Sequence, residues 1–146
     1  MMDHHLILRV VTKLLVAPIL LFALYVQFHG EYSPGGGFQA GVIFAVAFIL
    51  YGLVFSLGRL RELVPDWLVH KLTALGALIY SGTGIAGLVL GGNYLDYDVL
   101  FPDRIDGQHY GIIIIEFGVG LTVFSVMVSI YYAFAGRPPR LDDEDW

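Results

Sequence analysis

The chain of 146 residues is 57% hydrophobic and 14% charged, with a mean hydropathy of +0.72, which excludes an ordinary soluble fold, where about 25% of residues are charged. At about 20 residues per crossing, the length holds a few membrane helices and leaves no room for a separate soluble domain. The absence of cysteine excludes disulfides, thiolate metal sites and a cysteine nucleophile, and the net charge of −5, set largely by a C-terminal tail and one loop, argues against a nucleic-acid surface.

Residues 6–28 form the first expected span, with Arg9, Thr12 and Lys13 near its start and Pro18 inside it. Pro18 should leave the carbonyl of Leu14 without its helical partner and bend the helix. A signal peptide is the competing reading, but no small-x-small cleavage site follows and a second apolar run comes after only a short turn, so a retained span is expected. Lys13 allows two readings: a buried functional cation, or one whose stem reaches out to the interface beside Arg9, one turn earlier on the same face.

Residues 29–41 run His29, Gly30, Glu31, Tyr32, Ser33, Pro34, Gly35, Gly36, Gly37, Phe38, Gln39, Ala40, Gly41. Ser33 suits an N-cap and Pro34 the first helical position, which predicts a helix starting at Pro34. Three glycines in that first turn cost about 1 kcal/mol each against alanine. Either they form a flexible turn, or they let a neighbouring helix or an ion come close to bare backbone. The second expected span covers residues 35–57 without a charge, and Gly37 with Gly41 gives a small-xxx-small face for close packing.

The polar segment 58–71 carries Arg59, Arg61, Glu62, Asp66 and Lys71, with Trp67 as a headgroup anchor. Residues 72–92 form a third uncharged span rich in small residues, among them Gly76, Ser81, Gly82, Gly84 and Gly87. The stretch 93–109 reads as a long acidic loop, with Pro102 against a continuous helix. The fourth span, 110–135, holds one charge, Glu116, six residues from its start, hence about 9 Å deep. An ionised carboxylate there is costly unless paired, hydrated or protonated. It serves either as a proton or cation relay or as a hydrogen-bonded packing residue. Residues 141–146 form an acidic, solvated tail.

The expected fold is therefore all-α: a single membrane domain of four spanning helices, without an internal repeat. Of the eight Lys and Arg, only Arg104 lies on the side of the glycine turn and the acidic loop. The positive-inside rule then places both termini in the cytoplasm and that turn outside. His29, Glu31 and Gln39 share the outer half with Glu116, and the four form a candidate polar entry. Lys13 enters from the opposite side and stands some 10 Å or more from Glu116 along the membrane normal, in a core of about 30 Å. Nothing resembles a phosphate loop, a metal-ligand cluster or a nucleophile-base pair, so no covalent catalysis, metal or cofactor is expected.

The run His29-Gly30-Glu31-x-Ser33-Pro34-Gly35-Gly36-Gly37-Phe38-x-x-Gly41 after one apolar helix resembles the MrpB/MnhB family, small components of the multisubunit Mrp-type cation/proton antiporters. A second block, His109-Tyr110-Gly111 followed by Ile115-Glu116-x-Gly118-Val119-Gly120, is similar to the start of that family's last helix. The resemblance implies a small transporter subunit rather than an enzyme, in a bacterial or archaeal cell membrane. Its partners would be the other antiporter subunits, and the exchanged ions Na+ and H+. Two alternatives stay open: the equivalent subunit of a membrane-bound hydrogenase-type oxidoreductase complex, and a purely structural scaffold.

The charge asymmetry makes one prediction. Reporter fusions at Arg61 and at Arg140 should both report a cytoplasmic position, and an external signal from either reverses the orientation.

Overall fold

The structure is a computed structural model that describes residues 3–30 and 35–137, with side chains from residue 6 onward. Helix α1 runs Asp3–Phe28, α2 Gly37–Phe55, α3 Leu57–Leu63, α4 Asp66–Val89 and α5 Arg104–Ala135, with a short 3-10 turn at Tyr97–Val99. Among the described residues there is no strand. Four of the helices, α1, α2, α4 and α5, are long and apolar enough to cross a membrane.

Several expected boundaries move. The helix predicted to begin at Pro34 begins at Gly37, because Gly36 holds φ at +120°, which no helical residue adopts. Ser33 and Pro34 themselves lie outside the described residues, as do Glu31, Tyr32 and the tail 141–146. The polar segment 58–71 contains the short helix α3, capped by the Ser56 hydroxyl, which accepts from the Arg59 N–H at 3.4 Å. Helix α4 starts at Asp66 rather than at residue 72, after Pro65. Helix α5 starts at Arg104 rather than at residue 110, because the Asp103 carboxylate caps it by accepting from the Ile105 N–H at 3.0 Å. Pro18 lies inside α1, which continues on both sides of it.

The spans pack in the order α1, α2, α5, α4. A third of the most apolar window is buried in α2 and in α5, against 11% in α1 and 17% in α4, so the first pair forms the inside. Helices α2 and α5 run parallel. A Cβ at Gly37 would overlap the Glu116 carbonyl oxygen, one at Gly41 would lie 2.6 Å from the Gly120 carbonyl oxygen, and one at Gly52 would meet the Tyr131 ring at 2.9 Å. The residue offset is the same at all three points, so a single register holds along the whole pair.

The opposite face of α5 receives α4 antiparallel. A Cβ at Gly76 would lie 2.6 Å from the Gly118 carbonyl oxygen, and further along the Thr73 hydroxyl stands 2.9 Å from that of the fully buried Ser125. Towards the α3 end the core is apolar, with Ala45, Leu60, Val64, Val69, Phe124 and Val128 closed around Tyr132. The Tyr132 hydroxyl donates to the Val64 carbonyl oxygen at 2.6 Å and so satisfies the one polar group of that ring.

Helix α5, 32 residues long, measures about 48 Å, while the 19 residues of α2 measure about 28 Å. Because Gly37 stands level with Glu116, the excess projects beyond the start of α2. The loop after α4 covers that projection: the Tyr97 ring lies on Gly111 and the Tyr94 ring on Gly84, where a side chain would collide. Asp98 fastens it, accepting from the Gln108 amide at 2.6 Å and from the Arg104 guanidinium. These donors, Gln108 first and Arg104 second, hold the Asp98 carboxyl below the usual carboxylate range.

Two outcomes test this packing. Gly37→Ala sets a Cβ against rigid backbone and should cost about 1–3 kcal/mol or more, while Gly82→Ala, which meets nothing within 4 Å, should be neutral or stabilise by up to about 1 kcal/mol. Thermal unfolding in mild detergent compares the two. A carboxyl with a depressed folded pKa stabilises above its unfolded value, about 4, and loses that contribution as the pH falls through the folded value. Protection of the 90–103 loop in hydrogen exchange should therefore fall as the solution is acidified below about pH 4, and Asp98→Asn should remove that pH dependence while lowering protection throughout.

Candidate functional site

Glu116 lies on the α5 stripe that meets α2, one turn before Gly120, at the level where α1 has ended and α2 begins. Gly30 and Gly36, in the connection between those two helices, lie against its side chain. A Cβ on Gly30 would sit 2.7 and 2.8 Å from the two carboxylate oxygens, and one on Gly36 would sit 3.0 Å from Oε1. A side chain at Gly30 would displace the carboxylate, and at Gly36 the φ of +120° favours glycine in its own right. The Gly36 N–H donates to the Val26 carbonyl oxygen at 3.3 Å, which ties the turn to the last residues of α1. The carboxylate is half-buried and faces the start of α2. There the unpaired N–H groups of the first turn carry partial positive charge, which offsets part of the cost of holding an anion out of bulk water.

The other candidate residues fall in three places. Gln39 is exposed, and its Oε1 is 3.6 Å from a Cβ built on Gly36, so it stands at the rim of the Glu116 cradle. His29 folds back on its own helix, donating from Nδ1 to the Tyr25 carbonyl oxygen at 3.0 Å and stacking on the Tyr25 ring at 4.0 Å. Lys13 is at the far end: its Nζ lies 5.6 Å over the Phe55 ring, and Phe55 is 18 residues along α2 from Gly37, about 27 Å. No direct ion pair joins Lys13 to Glu116. Phe38 is exposed at 60% beside Gly37, whose role is the α2–α5 approach rather than the turn.

One polar residue escapes the sequence reading. Gln27, half-buried near the end of α1, places Oε1 2.6 Å from a Cβ built on Gly120, one turn along α5 from Glu116. It lines a groove of about 290 Å³ together with Leu24, Phe28, Gly41, Phe117 and Phe124. The signal was available, since Gln27 is the one amide in the apolar run 14–28. What periodicity could not supply was the pairing of α1 with the Glu116 stripe. Glu116, Gln39 and Gln27 thus form a short polar series beside the glycine turn. Such a series can hold a proton or a monovalent cation at the carboxylate and offer amide oxygens on either side of it.

Residues 7–129 match the model of a family described as a domain related to the MnhB subunit of Na+/H+ antiporter. The chain is similar to a Staphylococcus haemolyticus protein (strain JCSC1435) named "Putative antiporter subunit mnhB2", with 37% identity covering 93% of this chain and 98% of the relative. A protein of the same name from Staphylococcus aureus (strain Newman) is 36% identical over the same shares. These matches take in the glycine turn, Glu116 and all four spanning helices. They point to a transporter component rather than an enzyme, and they do not favour the hydrogenase-type alternative.

Proposed function

Because the chain belongs to the MnhB family of Na+/H+ antiporter subunits, we propose that it is a membrane subunit of a multisubunit antiporter in which Glu116 takes part in coupled movement of Na+ and H+. The family name carries the subunit role. The role of Glu116 rests on one observation, the placement of its carboxylate against Gly30 and Gly36 at the mouth of the shorter helix pair. A packing glutamate can sit anywhere its hydrogen bonds are met, whereas this one sits where the chain is stripped of side chains and the start of a helix faces it.

In this reading the turn side of the bundle is outside and both termini are cytoplasmic, following the Lys and Arg distribution. Ions reach Glu116 past Gln39 from the turn, with His29 at the entrance, and Gln27 is the next polar group inward. The other antiporter subunits supply the remainder of the path, since this chain has no second carboxylate in its apolar spans beyond Asp66 and Asp106 at helix starts. Lys13 stands apart from this route.

Substitution at Glu116 separates transport from packing. Glu116→Gln keeps shape and hydrogen bonding while removing the titratable charge, so it should abolish sodium-dependent proton movement in inverted vesicles while the complex still assembles. Glu116→Asp keeps the charge and should retain part of the activity with a shifted pH dependence. The reverse order, with Gln active and Asp defective, assigns Glu116 to packing. Parental antiport by the Gln variant across the pH range leaves the chain a scaffold.

A further inference from the structure

The end of the bundle opposite Glu116 presents two cations at one spot. Arg9 and Lys13, one turn apart on α1, both converge on the Phe55 ring, with Cζ and Nζ at 6.0 and 5.6 Å from its centroid. Both are exposed, and so are their neighbours on the helix: Leu6 at 63%, Val10 at 50% and Leu14 at 69%. These cations therefore stand on an apolar surface of a spanning helix. Two guanidinium groups near loops have acids, Arg61 with Asp66 at 3.3 Å and Arg104 with Asp98. Among the described residues no carboxylate pairs with Arg9 or Lys13. Two adjacent positive charges on an exposed apolar surface repel each other and call for an anion.

We propose that Arg9, Lys13 and the Phe55 ring bind the phosphodiester of an anionic membrane phospholipid. The level of the site selects this ligand. Phe55 is the last residue of α2, and the chain turns at Ser56 into α3. At the same end Trp67 is exposed at 59% and carries the Lys71 ammonium 4.8 Å over its ring, an arrangement that marks the headgroup layer. An anion that reaches α1 at this depth, between headgroups and exposed leucines, must carry hydrocarbon below its charge. A phospholipid does. The ring occupies one side of each cation, so the guanidinium and ammonium N–H groups on the outer side remain to donate to phosphate oxygens. A carboxylate on a neighbouring subunit offers the same charge, but would bring its own desolvation cost into an apolar surface.

The test uses the full chain in phosphatidylcholine nanodiscs with and without ~25 mol% phosphatidylglycerol. The parent should melt at higher temperature with phosphatidylglycerol present and retain it in native mass spectra. Arg9→Gln with Lys13→Gln should lose the shift and bind the lipid roughly a hundredfold more weakly, as the loss of two hydrogen bonds between charged groups implies. Each single variant should lose part of both. Arg59→Gln with Lys71→Gln removes the same charge from the same end and should keep most of the response. An unresponsive parent, or a double variant that responds like the parent, overturns the assignment. So does a double variant that keeps its lipid response yet no longer co-purifies with the other antiporter subunits, which identifies a partner carboxylate instead. None of these readouts involves Glu116 or transport.

Discussion

The contact of α2 with α5, backbone against backbone, is the constraint on which the remainder of the bundle depends. In a bilayer, helix association gains little from the hydrophobic effect, since lipid tails are as apolar as the side chains they would replace. Close approach must supply the attraction through dispersion, which falls steeply with small gaps. Gly37 and Gly41 meet the carbonyl oxygens of Glu116 and Gly120 at distances that no residue with a Cβ permits. A parallel pair joined at one offset from Gly37 to Gly52 cannot slip by a residue without driving a side chain into backbone. That lock fixes how far α5 projects past α2, and with it the position of Glu116.

The projection creates a step, and the polar chemistry is arranged around it. On the low side, the turn after α1 closes on the Glu116 carboxylate through two glycines. On the high side, the 90–103 loop is fastened to α5 by Tyr97 and Asp98. Helix α5 can serve both because its two small-residue stripes are on opposite faces, with Glu116 and Gly120 towards α2 and with Gly118, Thr122 and Ser125 towards α4. The hydroxyls of the second stripe are satisfied by the carbonyls of their own helix: Thr122 donates to Gly118 and Ser125 to Leu121. Neither stripe carries a polar chain from one end of the bundle to the other. The ends therefore differ in character, an acid held at the step and a ring of cations and aromatics at the α3 end.

The four apolar spans were legible from composition because membrane crossing demands a run of about 20 residues without charge, and few other folds tolerate one. The glycine turn, Glu116 as the isolated acid, and the small-xxx-small face at Gly37 and Gly41 were legible for the same reason: each departs from a uniform apolar background. Boundaries are less legible. Asp103, Arg104 and Asp106 look like loop residues and push the expected start of α5 to residue 110, although Asp103 as a cap and Asp106 in the first turn are also start signals. The same ambiguity hides α3 and the first turns of α4, since a helix that leaves the hydrocarbon can be as polar as a loop.

By itself the sequence determined the class, the number of spans, the family resemblance and the position of the isolated acid, because these depend on residue type and local spacing. Only the tertiary structure decided which helix receives the Gly37 and Gly41 face, that α2 and α5 run parallel in one register, that Gln27 belongs beside Glu116, and that Lys13 lies at the opposite end with Arg9 and Phe55. A small-residue stripe states that a neighbour comes close but contains nothing that names it. The partner is settled by which pair of surfaces reaches contact along its full length, and that is a property of two helices placed together.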